Sequence, residues 1–503
     1  MSTRLTLLLC ILVAACSAPA PDAAPTGSES ETGAASSTSG PSEAERTRFD
    51  PQSPTLSANR EIEAVFSTQA LNAQVLRLEA ALARAQAQEG VIPQSAADAI
   101  TAAAIPDNIP QDALDAEYDV VRHRMVALLN VLRRSLDEDS ANYLHYGATT
   151  VDLYDSAAML QMREAVLALI GDLRVIELQL IELAERYKST PMIGRTLGQH
   201  ALPLTYGKSV SGYIGENRRH IDRLADLLDR IDRSIIMKGA VGSYLGLGPE
   251  GQRVEARMAQ ELGLPAPYPD DWHASRDVFA EFALVQSMMA HTWARFGQEV
   301  FLLQMTDIGA VVEERPGGAV GSRTMPHKVN PSLSEALIQH GRVIPRLAEI
   351  VQDDMINFFE RDNTSRPNRA VGDVAIATED MLGDASRLIS RLRVNEARMA
   401  ETLELSEGWI LTQRIVFAIQ DDLGREGAEH RLRDLAADAS ETGVSLREAL
   451  ESDPDLLALF APGELDALLN PRTYLGLDAA LVDAVIAQAR AARETDPVRT
   501  ETP

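Results

Sequence analysis

Two cysteines in 503 residues, Cys10 and Cys16, leave everything beyond the sixteenth position without a thiol. No disulfide can brace the fold, which must stand on its hydrophobic core. Aromatic residues make up only 5% of the chain, while Ala, Leu, Arg and Glu are abundant, a balance that favours helix over sheet. Positive charge is also short. With 47 Lys and Arg against 74 Asp and Glu the formal net charge is −27, which argues against a nucleic-acid partner. The chain contains no HExxH or CxxC spacing, no Walker loop and no dinucleotide fingerprint, so no metal or nucleotide cofactor is indicated.

The first fifty-six residues stand apart. Arg4 precedes an apolar run, Leu5 to Ala15, too short to span a bilayer and ending in small residues, the layout of a secretory signal. The end of that run, Val13-Ala14-Ala15-Cys16, resembles the bacterial lipobox, in which cleavage leaves the cysteine as a lipid-bearing first residue. Residues 17–56 are rich in Ser, Thr, Ala, Pro and Gly and read as a disordered tether. The expectation is a protein of the cell envelope, held by lipid at Cys16 on the periplasmic side of a bacterial membrane.

A chain of this length buries a large core and holds about two to four domains. Residues 57–150, broken at Gly90, Pro93, Pro106 and Pro110, read as a small N-terminal helical domain. Residues 151–394 form a central domain and 395–503 a C-terminal helical one. The central domain opens with Thr149 or Thr150 as a helix cap and Asp152 in the first turn. Val166, Leu169, Ile170, Leu173, Ile176, Leu180 and Leu183 then recur on one face, the pattern of a bundle helix ending before Pro191. The proline-free run Asp277 to Arg315 reads as one helix near forty residues long, which would reach roughly 57 Å at 1.5 Å per residue. Its apolar face needs partners.

Between that run and the next helix lies Gly321 to Pro331, GSRTMPHKVNP. Pro326 and Pro331 push the residues before them out of the α region, so the segment is a loop. Asn330 is placed to cap the following helix, Pro331 suits its first position, Glu335 falls in its first turn, and Pro345 is a candidate kink. A helix N-terminus attracts an anion, and Lys328 and Asn330 add a cation and an amide beside it. Ser322 follows the glycines Gly317, Gly318 and Gly321, which let it move onto whatever binds.

The loop resembles the signature of the fumarase/aspartase superfamily of lyases, G-S-S-x-M-P-x-K-x-N-P, departing from it only where Arg323 replaces the second serine. Two further segments resemble the conserved regions of the adenylosuccinate lyase and 3-carboxy-cis,cis-muconate cycloisomerase branch. They are LHYGATTVDLYDS, with His145, Thr149, Thr150 and Asp152, and GRTLGQHALPLTYG, with Arg195, Thr196, Gln199 and His200. Leu197 occupies the place of a histidine that serves as general acid in adenylosuccinate lyases. Gly239 to Gly242 and Trp272 to Asp277 resemble the same branches, Arg276 reading either as a substrate clamp or as an ion-pair partner.

The resemblance implies an all-α protein of three domains around a central long-helix bundle. Four copies would join into a homotetramer with a twenty-helix core, each site drawing its three loops from three subunits. It implies elimination beside a carboxylate of a small polycarboxylate, with Ser322 as base and Lys328 and Asn330 stabilising the aci-carboxylate. His200 or His145 would be the acid, and Glu335 the carboxylate that orients a histidine. Thr149, Thr150, Asp152, Arg195, Thr196, Gln199, Arg276, Met325 and His327 would contact substrate. Three functions are compatible: a fumarate-releasing C–N lyase, an intramolecular lyase of the cycloisomerase kind, and an envelope binding or scaffold protein that kept the fold without the chemistry. For the tether, Cys16→Ala is expected to abolish metabolic labelling with a radioactive fatty acid; unchanged labelling would rule out an anchor at this residue.

Overall fold

The computed structural model describes residue 56 and residues 61–316, 322–362 and 367–498. The signal and lipobox with Cys16, nearly all of the tether, and Gly317, Gly318 and Gly321 lie outside the described residues.

Eight helices carry the argument: α1 (Thr68–Gln88), α2 (Thr150–Arg186), α3 (Tyr206–Asp232), α4 (Gly251–Glu261), α5 (Asp277–Leu303), α6 (Ser332–Asp353), α7 (Pro367–Arg391) and α8 (Asp478–Ala492). The longest is α2, whose 37 residues extend about 55 Å at 1.5 Å per residue. Every apolar position expected on its inner face, from Val166 to Leu183, is buried. Its start is fixed as the sequence implied: Thr149 is the N-cap, and the Asp152 carboxylate accepts the Thr149 N–H at 2.9 Å.

Side-chain pairs fix the helix directions. Arg163 meets Asp232 and Asn217 meets the Leu173 carbonyl, so α3 runs back down α2. Arg230 meets Glu281 and Tyr213 meets Glu299, so α5 runs up again, parallel to α2. Gly297 lies against Ser334 and Leu337, and Gly341 against Ala294, so α6 descends. α7 packs on α2, α5 and α6. One hydrophobic core joins these helices with α1, α4 and, through Val482, Ile486 and Ala489, with α8; a second, smaller core gathers residues between Leu403 and Leu465 with Ile193.

The fold is mostly helical but not purely so. Two short antiparallel sheets are present among the described residues: β1 (Pro191–Thr196) with β2 (Gln199–Thr205), and β3 (Val311–Glu313) with β4 (Leu392–Val394). The expected forty-residue helix therefore ends at Leu303. Gly309, at φ +60°, reverses the chain, the Ala310 N–H returns to the Leu303 carbonyl, and the β-branched pair Val311 and Val312 joins a ladder instead. The start of α6 also differs: Pro331, not Asn330, stands at the N-cap, and α6 continues through Pro345 as one element. The capping group comes from elsewhere in the chain. Glu313, 3% exposed, accepts the N–H groups of Leu333 (2.9 Å) and Ser334 (3.2 Å).

Glu313 thus ties the base of the signature loop to β3. Glu313→Ala is expected to lower the unfolding free energy by about 1–2 kcal/mol, read by chemical denaturation, and to speed amide exchange at Leu333 and Ser334. An unchanged midpoint would mean that water caps the helix equally well.

Candidate active site

At the lower end of the bundle, where α2 begins, the chain supplies polar groups from four elements. His145 adopts the left-handed conformation, φ +61°, and its Nδ1 lies 2.6 Å from Oε1 of Glu79 on α1. Gln86, about two helical turns further on, donates to the Tyr146 carbonyl at 2.6 Å. Gly147 is required beside them. It lies at φ +72°, and a Cβ there would meet Leu247 at 2.6 Å. Burial alone would lower the His145 imidazole; the hydrogen bond and charge of Glu79, with Asp152 behind, outweigh it and raise His145 above its ordinary value.

Asp152, expected to contact substrate, is instead wholly buried. Its carboxylate accepts N–H groups from Thr149 (2.9 Å), Lys238 (3.1 Å) and Gly239 (3.0 Å), with His273 Nε2 at 3.5 Å. Burial raises its carboxyl above the usual range, and those backbone donors hold it back. Asp152 therefore shapes this end through the backbone it binds. Lys238, also buried, donates to both oxygens of Glu255 at 2.8 and 2.7 Å and to the Tyr244 hydroxyl at 2.9 Å. Of the two readings of Arg276, the structure holds the ion pair: its guanidinium is 2.9 Å from Asp155 and packs over Phe279. Thr149 and Thr150 are half-buried at the helix start.

At the upper end, the segment GRTLGQHA is a β-hairpin rather than an irregular loop. Arg195 pairs with His200 and Thr196 with Gln199, leaving a two-residue turn, Leu197 and Gly198, at φ +53° and +79°. Both positive values belong to the turn class whose twist matches a hairpin. Leu197 at that tip is fully exposed, at 102%. Burial and then the nearby Arg195 charge lower the His200 imidazole, so it favours the neutral form.

The signature loop lies at this upper end too, beside the C-terminus of α5. Ser322 Oγ accepts the Met325 N–H at 3.2 Å, the Lys328 N–H reaches the Met325 carbonyl at 2.9 Å, and Arg315 donates to the Lys328 carbonyl at 3.0 Å. Met325, His327 and Lys328 are exposed, and Asn330 is half-buried. Glu335 is exposed in the first turn of α6, and among the described residues no hydrogen bond ties it to a histidine.

A single chain therefore keeps its candidate groups in two places. His145, Thr149 and Thr150 stand at one end of a helix about 55 Å long, and Arg195, Thr196, Gln199 and His200 follow its other end. The 27 residues of α5, about 40 Å, separate the signature loop from the lower cluster in the same way. Sequence reasoning missed Glu79 and the Lys238–Glu255 pair. Glu79 was detectable as a carboxylate on an otherwise apolar helix face, between Leu76, Leu82 and Ala83. Among the described residues no group of His, Cys, Asp and Glu is placed to hold a metal, and no helix is long and apolar enough to cross a membrane.

A long-helix bundle carrying these three loops defines a class, the lyases of the fumarase/aspartase type. The chain belongs to the fumarase/aspartase superfamily, in the branch of adenylosuccinate lyases and 3-carboxy-cis,cis-muconate cycloisomerases. The family described as "Lyase" matches residues 48–345, and "Adenylosuccinate lyase C-terminus" matches residues 408–485. Among curated relatives, the N-acetyl-S-(2-succino)cysteine lyase of Enterococcus italicus is 32% identical over 85% of this chain and 94% of its own length. The adenylosuccinate lyase of Methanocaldococcus jannaschii is 34% identical over 82% of this chain and 90% of its own. The crystal structure of 3-carboxy-cis,cis-muconate lactonizing enzyme from Pseudomonas putida superposes with a TM-score of 0.77 at 30% identity, covering 86% of this chain and 98% of that one.

Proposed function

We propose that this lyase eliminates a leaving group that departs as a stable anion, and that its substrate is a thioether of the S-(2-succino) class. Ser322, as alkoxide, takes the proton from the carbon next to a carboxyl group. The electron pair left behind delocalises into that carboxylate, where Lys328 and Asn330 stabilise it. It then returns to form the carbon–carbon double bond as the carbon–sulfur bond breaks, giving fumarate and a thiolate.

Leu197 carries this reading. An amine is a poor leaving group until protonated, and a leucine has no proton to give. A thiol ionises near pH 8.5, so a thiolate leaves without strong acid assistance. The relative named for a succinocysteine substrate supports the same chemistry. The carboxylate expelled when a lactone opens is also a stable anion, and the likeness to the lactonizing enzyme keeps that intramolecular reaction as the second reading. Of the two histidines, His145 is the one whose surroundings raise the imidazole above its ordinary value while those of His200 lower it, and His145 is assigned to meet substrate charge.

The two-ended layout supports a site shared between copies, in a homotetramer. Leu284, Met288, Val343 and Ile350, exposed apolar residues on α5 and α6, supply a face for such packing. The layout of residues 1–16 supports an envelope location, with Cys16 as the anchor.

Fumarate release from adenylosuccinate, an S-(2-succino) thioether and a carboxymuconolactone, with the lactone followed by its own absorbance, separates the chemistries. The thioether is expected to exceed adenylosuccinate in kcat/KM by roughly 10²-fold or more, the contribution of the absent acid. Efficient adenylosuccinate turnover would sink the assignment. For shared sites, Ser322→Ala and His145→Ala proteins, each inactive alone, are expected to regain activity when co-refolded, because some hybrid sites contain neither lesion. Silence from verified hybrids would argue for sites within single chains.

A further inference from the structure

Glu79 belongs to α1, away from all three signature segments, and it is 1% exposed. Oε1 lies 2.6 Å from His145 Nδ1, and Oε2, also buried, has no hydrogen-bond partner. An ionised carboxylate only accepts, so Nδ1 carries a proton, and the ring's other nitrogen, Nε2, is left for what lies outside. The His145 side chain is 16% exposed, so the ring is not sealed from solvent. The backbone corroborates the arrangement: a non-glycine residue at φ +61° is held there by Glu79 at its ring and by Gln86 at the next carbonyl.

We infer that Glu79 is a positioning residue, which fixes the His145 ring through Nδ1 and favours its protonated form, so that Nε2–H is held as a donor toward an anionic substrate. This rests on the proposed function only for the identity of the substrate, not for the dyad itself. The charged groups around His145 are Glu79 from α1, Asp152 from the first turn of α2, and Arg133 from the helix Arg124–Arg133. Asp152 is already bound to three backbone N–H groups, and Arg133 opposes the positive charge. Glu79 is the hydrogen-bonded counter-ion. Its free oxygen reinforces the point, because a buried carboxylate with a vacant acceptor is costly unless a cation sits at the other one.

The test uses the full chain and needs no substrate. Carbethoxylation by diethyl pyrocarbonate requires neutral imidazole, and peptide mass spectrometry reports His145 separately from the other histidines. In Glu79→Gln, which keeps the shape and loses the charge, His145 is expected to react at pH 6.5 roughly fivefold to tenfold faster than in wild type. Glu79→Asp, which keeps the charge, is expected to fall between the two; it also serves if the glutamine variant fails to fold. An identical pH profile for wild type and folded Glu79→Gln would overturn the inference, since a merely structural Glu79 would not move the titration; should the glutamine variant not fold, an Asp variant that reacts as fast as free imidazole would overturn it instead. Fumarate affinity is the second readout: in wild type it is expected to fall as pH rises through the His145 titration, and in Glu79→Gln to fall at lower pH. A shifted carbethoxylation profile without any fumarate effect would count against the substrate assignment and leave the dyad standing.

Discussion

The unbroken length of α2 is the constraint on which the rest of this structure depends. Its thirty-seven residues form a rod of about 55 Å, and Gly171 in its middle does not interrupt it. Both ends are anchored. Below, Asp152 closes the cap; above, the Tyr187 carbonyl accepts the Gly207 N–H and the Tyr187 and Tyr206 rings meet edge to face. Gly207 permits this closeness, since a Cβ there would fall 2.5 Å from the Ala184 carbonyl. Helices that follow α2 inherit its two ends, so a single copy keeps the groups of those ends about 55 Å apart.

At the lower end the backbone leaves helical geometry between Arg233 and Gly248, and buried charge replaces the lost helical bonds. Asp152 gathers three N–H groups from two segments, and Glu255 accepts both the Met237 N–H and the Lys238 ammonium. Removing one member of such a set leaves the other charged and dry, at about 3–5 kcal/mol. That asymmetry explains how a turn containing Gly239 and Gly242, both at positive φ, holds one shape. The same turn borders Gly147, two residues beyond His145, so the rigidity that the buried ions confer supports the segment that carries His145.

Much of this was legible because it follows from local rules. The apolar phase of α2, its Thr149 cap and the helical bundle come from a 3.6-residue period and one hydrogen-bond pattern. The errors arose where distant contacts decide. Residues 304–315 lack proline and continue the preceding pattern, yet they turn at Gly309 because β4, eighty residues later, offers Val311 a ladder. Glu313 caps α6 from 20 and 21 residues away, so the local candidate Asn330 was a reasonable but wrong choice. Asp152 illustrates a different limit. Its place in the motif was readable from sequence, but whether a carboxylate faces substrate or the backbone depends on where residues 238 and 239 return.

Leu197 shows how a site feature can look like a defect in the isolated chain. A β-carbon at φ +53° costs roughly 1–2 kcal/mol against the ordinary regions, and full exposure of a leucine forfeits about 1.5–3 kcal/mol of burial. Among the described residues nothing repays either cost. The hairpin would form more readily with asparagine or glycine at that position. On the shared-site reading the tip enters a neighbouring copy, where its apolar surface is buried against bound substrate. There it would also exclude water from the carbon that loses its leaving group. An apolar wall at that point favours a departing sulfur, which is large, polarizable and weakly hydrated, over a nitrogen that must acquire a proton as it leaves. The strained turn and the substrate preference then have one cause, the placement of a side chain that cannot donate a proton where an acid would otherwise stand.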